Sequence, residues 1–187
     1  MDIYEPAEDS FLLKKHISKH TKGIVLDMGT GSGIQAEEAA KSKKVVKVFG
    51  VDINEESVKH CIRNQKSKKI IYAQSDMFNL FRLVRRYSKI KFDTIIFNPP
   101  YLPDPEKENV KDIALDGGKN GYELITKFIN QSKYYLKPKG KILLLFSSLT
   151  GKDQLDKFLT KNYWKYKELD RQHIFFEDLI VYLITKQ

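Results

Sequence analysis

Short apolar runs, each cut off at its C-terminal end by glycine, a polar residue or proline, alternate with segments of helical periodicity along this chain. That alternation constrains the fold more than any other feature. Ile24-Val25-Leu26 stops at a glycine-rich loop, Val45 to Val51 runs into Asp52, and Lys69 to Ala73 is followed by Ser75-Asp76-Met77. Phe92 to Phe97 ends at Asn98-Pro99-Pro100, where two prolines forbid further ladder pairing. Between these runs, Ile34 to Ser42 and Glu55 to Gln65 read as helices, the second with acids in its first turn and bases later, the order a helix dipole favours. Asp9 and Ser10 read as caps of a first helix carrying Phe11, Leu12, Leu13 and Ile17, and Leu80 to Tyr87 reads as a short basic helix.

Further on, Leu124, Ile125, Phe128, Ile129, Tyr135 and Leu136 mark one helical face ended by Lys137-Pro138-Lys139-Gly140, before a buried strand from Ile142 to Phe146. A helix near Lys152 to Leu159 and strands near Trp164 to Leu169 and Leu179 to Ile184 complete the pattern. Tyr101 to Asn120, rich in Pro, Asp, Lys and Gly and without periodicity, reads as an active-site loop. Apolar strands joined through helices predict an α/β fold with a mostly parallel seven-stranded sheet and helices on both faces. The short connection between the last two strands predicts one antiparallel member. In such sheets ligands sit beyond the carboxyl ends of the strands, where strand order reverses.

At 187 residues the chain reads as one domain spanning 1–187, so one core must serve both cofactor and substrate. Its single cysteine, Cys61, excludes an intramolecular disulfide and a multi-cysteine zinc site. His16 and His20 have helical i,i+4 spacing but no third ligand, and read as a solvated helix face with no metal. No apolar run reaches the roughly 18 residues of a membrane span, and Asp2, Glu5, Glu8 and Asp9 stand where a signal peptide would be basic. The expectation is a soluble, cytoplasmic protein without a membrane role. A net charge of +9 keeps nucleic acid among the partners, although the lysines and arginines are scattered in small groups over several elements.

The chemistry concentrates at the strand ends. Asp27-Met28-Gly29-Thr30-Gly31-Ser32-Gly33 follows the first strand and precedes a helix, so Gly29, Gly31 and Gly33 permit a tight turn and close approach of a ligand to the main chain. Ile34 stands where a dinucleotide fingerprint needs Gly or Ala, and no phosphate-cradling G-x-x-x-x-G-K-[ST] occurs, which disfavours NAD and nucleoside triphosphates. Asp52, 19 residues after Gly33, suits the two hydroxyls of a ribose, with a helix cap as its alternative role. Asp76 suits an adenine amino group and Met77 its ring face, while Asp27 beside the loop suits a positively charged amino group. An adenosine without phosphates and with a charged amino-acid tail describes S-adenosylmethionine, with S-adenosylhomocysteine as product.

These residues, and above all Asn98-Pro99-Pro100-Tyr101, resemble the amino-methylating class I S-adenosylmethionine-dependent methyltransferases, whose fold is Rossmann-like. Tyr4-Glu5-Pro6-Ala7-Glu8-Asp9-Ser10-Phe11-Leu12-Leu13 looks like the opening of the short archaeal and eukaryotic branch of the HemK-type protein-glutamine N5-methyltransferases, and Gly117-Gly118-Lys119-Asn120-Gly121 resembles that family's later loop. The resemblance places Ser10, Asp27, Gly29, Asp52, Asp76 and Met77 on cofactor contacts and Asn98 at the substrate. It implies methylation of the glutamine in the Gly-Gly-Gln motif of a peptide-chain release factor, and pairing with a small zinc-binding activator subunit. Bacterial relatives carry an added N-terminal substrate domain, whereas this chain starts almost directly at the shared motif.

The Asn-Pro-Pro-Tyr chemistry follows from the residues themselves. An amide nitrogen is a poor nucleophile because its lone pair is delocalised into the carbonyl. The side-chain oxygen of Asn98 and the main-chain carbonyl of Pro99 are two acceptors that can hold its N–H bonds, Pro100 stiffens the turn, and Tyr101 can pack on the planar group. Placement rather than a general base then carries the rate, which agrees with the lack of an obvious catalytic His or Cys. The same tetrad suits the amino group of adenine in DNA or RNA, or of a protein lysine, and a non-catalytic S-adenosylmethionine-binding subunit is a further alternative.

Overall fold

The computed structural model describes residues 4–100 and 122–187, so Tyr101 and the expected active-site loop up to Gly121 lie outside the described residues. The elements run α1 (Glu8–His20), β1 (Gly23–Met28), α2 (Ile34–Lys41), β2 (Val45–Asp52), α3 (Glu55–Asn64), β3 (Ile70–Gln74), α4 (Asn79–Leu83) and β4 (Phe92–Phe97). They continue with α5 (Tyr122–Ser132), β5 (Leu136–Ser147), α6 (Lys152–Lys161), β6 (Trp164–Ile174) and β7 (Glu177–Lys186). Seven strands form one sheet in the order β3-β2-β1-β4-β5-β7-β6. All neighbouring pairs from β3 to β5 are parallel, and β7 alone runs against the rest, inserted between β5 and β6.

Alternation along the strands feeds two cores. Val25, Ile96, Leu143 and Leu145 face α1, α2 and α3, while Leu26, Ile95, Phe97, Leu144 and Phe146 face α4, α5 and α6. Strand order reverses between β1 and β4, where Met28 pairs with Phe97. The ends of both strands therefore open onto one crevice.

Four details depart from the sequence expectations. Helix α1 is preceded by Ala7 without a side-chain cap, and Asp9 and Ser10 lie buried inside its first turn. Their side chains are turned to the crevice instead of capping. Helix α5 stops at Ser132, whose Oγ bonds back to the Phe128 carbonyl, and Leu136 is the first residue of β5, paired with Phe92. The Lys137-Pro138-Lys139-Gly140 stretch is a bulge in that strand, a place that tolerates a proline. The basic helix covers only Asn79–Leu83, and the Tyr87 ring packs edge-on against Phe49. On α1, His16 is not merely solvated: its Nε2 lies 2.9 Å from an Asp170 carboxylate oxygen on β6.

The loop between β1 and α2 is held from beneath. Asp27, buried at the end of β1, accepts from Thr30 Oγ1 at 2.6 Å and from the Ala36 N–H at 3.1 Å with the same oxygen. Gly33, at φ +83°, packs over Tyr72 and Cys61, and a Cβ there would stand 2.9 Å from the Tyr72 hydroxyl. Burial pushes the Asp27 carboxyl up to about 7, with the nearby Asp52 charge adding to the rise against the two hydrogen bonds. A carboxyl raised on folding binds its proton more tightly in the native state, so its stabilising effect is present below pH 4 and is lost as pH rises towards 7. Urea unfolding of the wild type should lose roughly 1.4 kcal/mol per pH unit from this group across that window. The Asp27→Asn variant should show a flatter profile, and identical slopes would contradict the assignment.

Candidate active site

A cavity of about 450 Å³ opens at the strand-order reversal, within the range of small-ligand sites. Its walls come from α1 (Asp9, Ser10), the glycine loop (Gly29, Thr30, Gly31), the ends of β2 and β3 (Asp52, Asp76, Met77) and the end of β4 (Asn98, Pro99, Pro100). Of the residues expected at a cofactor, Ser10, Gly29, Gly31, Asp52, Asp76 and Met77 line this cavity, as do Asn98, Pro99 and Pro100 of the substrate tetrad. Asp27 and Gly33 stand behind the wall, supporting the loop, and Tyr101 lies outside the described residues.

Each wall has a local cause. Gly29 and Gly31 have φ of +65° and +52°, and a Cβ on either would meet a single neighbour at 3.8 Å, leaving an open cradle. Asp52 is fixed by two backbone donors, the Gly31 N–H at 2.8 Å on one oxygen and the Asn54 N–H at 2.9 Å on the other. Each oxygen keeps a lone pair for a ligand, so the carboxylate is a preset fork. Capping of α3 is done by Asn54, which accepts from the Glu56 N–H, so Asp52 does not take the cap position. Ser75 Oγ donates to the Met77 carbonyl and accepts from the Leu80 N–H, holding Met77 at φ 47°. Beneath the site Phe97 packs on Phe128 with centroids 4.2 Å apart, which keeps the end of β4 rigid.

Two residues that sequence reasoning missed complete the site. Asp9 accepts from Asn98 Nδ2 at 2.8 Å with one oxygen, and with the other from the Tyr4 hydroxyl at 2.7 Å and its neighbour Ser10 N–H. A carboxylate can only accept, so it dictates that the Asn98 amide presents nitrogen to Asp9 and keeps its oxygen free. That oxygen is buried and has no hydrogen-bond partner among the described residues. Gln35, on the first turn of α2, repeats the arrangement: its Nε2 donates to the Ser10 carbonyl at 2.8 Å and its buried Oε1 has no partner among the described residues. The signal for Asp9 was its i,i+3 and i,i+4 spacing to the buried Leu12 and Leu13, which puts it on the inner face of α1.

The cavity wall therefore carries three carboxylates, two waiting amide oxygens and no lysine or arginine among its described residues. This suits a cationic ligand without phosphates. The open cradle and the Asp52 fork fit an adenosine, and the acidic surroundings fit the sulfonium and ammonium of S-adenosylmethionine. Among the described residues no group of His, Cys, Asp and Glu could hold a metal ion, and no helix is long and apolar enough to cross a membrane.

Comparison with known proteins gives the same direction. Residues 7–176 match the family described as the methyltransferase small domain. A candidate protein N5-glutamine methyltransferase of Methanocaldococcus jannaschii is 38% identical over 185 residues, covering 96% of this chain and 90% of that protein. A release factor glutamine methyltransferase of Thermodesulfovibrio yellowstonii is 32% identical over 73% of this chain, and the aligned part is 50% of that longer bacterial relative. Among solved structures, a chain of the E. cuniculi Mtq2–Trm112 complex, responsible for methylation of the eRF1 translation termination factor, has a TM-score of 0.74 at 24% identity with both chains fully covered. That last likeness bears on the fold, a class I methyltransferase sheet. The chain belongs to the HemK-type protein N5-glutamine methyltransferases, which are S-adenosylmethionine-dependent enzymes.

Proposed function

We propose that this chain methylates the side-chain amide nitrogen of a glutamine in a peptide-chain release factor. The observation that carries the reading is the Asn98 oxygen in the wall of an acidic cavity, held free by Asp9 and without a hydrogen-bond partner among the described residues. The similarity to protein N5-glutamine and release factor glutamine methyltransferases points to glutamine as the acceptor rather than adenine or lysine. When bound, S-adenosylmethionine supplies an electrophilic methyl group whose departure from sulfur leaves S-adenosylhomocysteine.

The protein's own residues do the rest by placement. Asp52 accepts from the ribose hydroxyls, Asp76 and Met77 hold the adenine, and Ser10, Gly29 and Gly31 frame the amino-acid tail. Gln35 Oε1 accepts from the ammonium, a role better suited to it than to Asp27, whose engaged oxygen already serves Thr30 and Ala36. Asn98 Oδ1 and the Pro99 carbonyl accept the two N–H bonds of the glutamine amide and turn its nitrogen toward the methyl group, with Pro100 fixing the turn. Acceptors placed in advance on a rigid strand end lower the barrier: the N–C bond forms as the C–S bond breaks, and the one amide proton displaced passes to water, so no proton-transfer residue is needed.

A partner subunit is the second part of the proposal. Strand β3 pairs only with β2 among the described residues, so its outer edge is open for strand addition. Lysines can guard such an edge, but Lys69 turns its ammonium to the Ser42 carbonyl at 2.9 Å. A small zinc-binding activator adding a strand beside Ile70–Gln74 would cover this edge, in keeping with the two-protein complex that contains the E. cuniculi neighbour.

Calorimetry and turnover on a release factor separate the roles. Asn98→Ala should cut turnover by several orders of magnitude with S-adenosylmethionine affinity nearly unchanged, whereas Asp52→Ala should lose roughly 1.5–3 kcal/mol of that affinity per charge-assisted bond removed. Wild-type turnover in folded Asn98→Ala would remove the basis of the reading. For the partner, Ile71→Lys should abolish co-purification of the activator while leaving cofactor binding intact; a complex that survives the change places the interface elsewhere.

A further inference from the structure

The most exposed large apolar residues of the described chain stand side by side. Phe175 and Phe176 are 86% and 93% exposed and form the two-residue turn joining β6 to β7. Turns of this length favour Asn and Gly because the chain must adopt positive φ. Here Phe175 sits at φ 52°, an unusual conformation for a bulky residue. Two phenylalanines in water on a strained turn run against local preference, and such departures concentrate where a protein makes contact with something else.

The stalk beneath the turn is braced. Asp178 takes Arg171 Nη1 and His173 Nδ1, each at 2.8 Å, and Arg171 also binds Glu168. The Asp178 N–H donates to Ser148 Oγ at 2.9 Å, tying the hairpin to the turn that follows β5. Ile174, next to the tip, is packed against the inner core, so the two rings are not left outside for want of an anchored neighbour.

Register places this tip beside the mouth of the active site. Phe97 at the end of β4 pairs with Leu144, and Leu144 pairs with Tyr182 of β7. Phe176 lies six residues earlier on the antiparallel chain, so the tip stands roughly 20 Å beyond the level of Phe97, and two to three strand spacings, roughly 12 Å, to its side. The path between is continuous: Leu124 lines the cavity, Tyr122 on the same helix lies 3.6 Å from a Cβ built on Gly151, and Leu149 just before it is 55% exposed. A small acceptor bound at Asn98 would never reach the tip. A folded protein whose glutamine enters the cavity from the β4 side is large enough to span from Asn98 to the tip.

We infer that the Phe175–Phe176 tip is a docking surface for the folded protein substrate, engaging an apolar patch about 20 Å from the glutamine that enters the cavity. The inference rests on the functional reading above and adds to it the substrate's second point of contact. The opposite edge, β3, is left to the partner subunit.

The test uses Phe175→Asn combined with Phe176→Ser, which gives the turn a residue that tolerates positive φ and should keep or raise Tm. The full chain, with any subunit that co-purifies, is compared on a folded release factor and on a short Gly-Gly-Gln peptide. The expected result is a KM for the folded factor raised roughly tenfold or more, with kcat, peptide kcat/KM and S-adenosylmethionine affinity unchanged. An unchanged KM, or an equal loss on the peptide, overturns the docking surface while the function stands. A wild type that methylates neither substrate overturns the functional reading and this one with it. Sedimentation showing a wild-type dimer that the variant loses would assign the tip to a second copy and likewise overturn the proposal.

Discussion

One hydrogen bond, from Asn98 Nδ2 to the Asp9 carboxylate, joins the front of the chain to the end of β4 across 89 residues of sequence. Asn98 alone is ambiguous, because an asparagine amide can present either face. The carboxylate removes that freedom, and the Tyr4 hydroxyl and Ser10 N–H hold the carboxylate in turn. The first turn of α1 is thus part of the acceptor site although it lies on a different layer from β4. Without the carboxylate the amide could turn over, and the cavity would lose a defined acceptor for an incoming N–H group.

The carboxylates around the cavity divide the work through their surroundings. Asp27 is fully buried, raised toward neutrality, and holds the loop from beneath. Asp52 lies partly open, and its two backbone donors fix its direction while leaving lone pairs facing the cavity. A protein of net charge +9 therefore encloses a pocket whose described wall has acids and no bases. Net charge governs encounters at the surface, while the pocket's own field selects the ligand.

Much of this was legible in the sequence, and the parts that were not share a cause. The C-terminal halves of β1, β2 and β4 are buried on both faces, so short apolar runs announce them. The loop glycines and Asn98-Pro99-Pro100 are local signals, and they converge on one cavity because parallel strands end on one edge. Leu136 continues the helical spacing of Phe128 and Ile129 in the sequence; only its pairing with Phe92, far away in sequence, makes it a strand residue. The hairpin of β6 and β7 extends beyond the apolar stretches that mark it in the sequence, because charged residues occupy both faces of its outer strand and erase the period-two pattern. Asp9 read as a cap because capping is local, whereas its partner Asn98 is not.

The two sheet edges show the same fold handling one hazard in opposite ways. β6 is eleven residues long, a length that invites pairing, but it is studded with Lys165, Lys167, Glu168, Asp170 and Arg171 and bulges near Leu169, and the charges and the bulge discourage another chain. β3 has five residues with a partly buried Ile71 and Ala73, and the nearby Lys69 faces inward. Both edges flank a cavity whose proposed cofactor half is lined from the ends of β1 to β3 and whose proposed acceptor half is lined from the end of β4. A strand added at β3 would extend the cofactor side without obstructing the approach to Asn98. The well-defended β6 edge keeps the acceptor side free of strand partners and leaves the braced turn at its end as the projecting contact there.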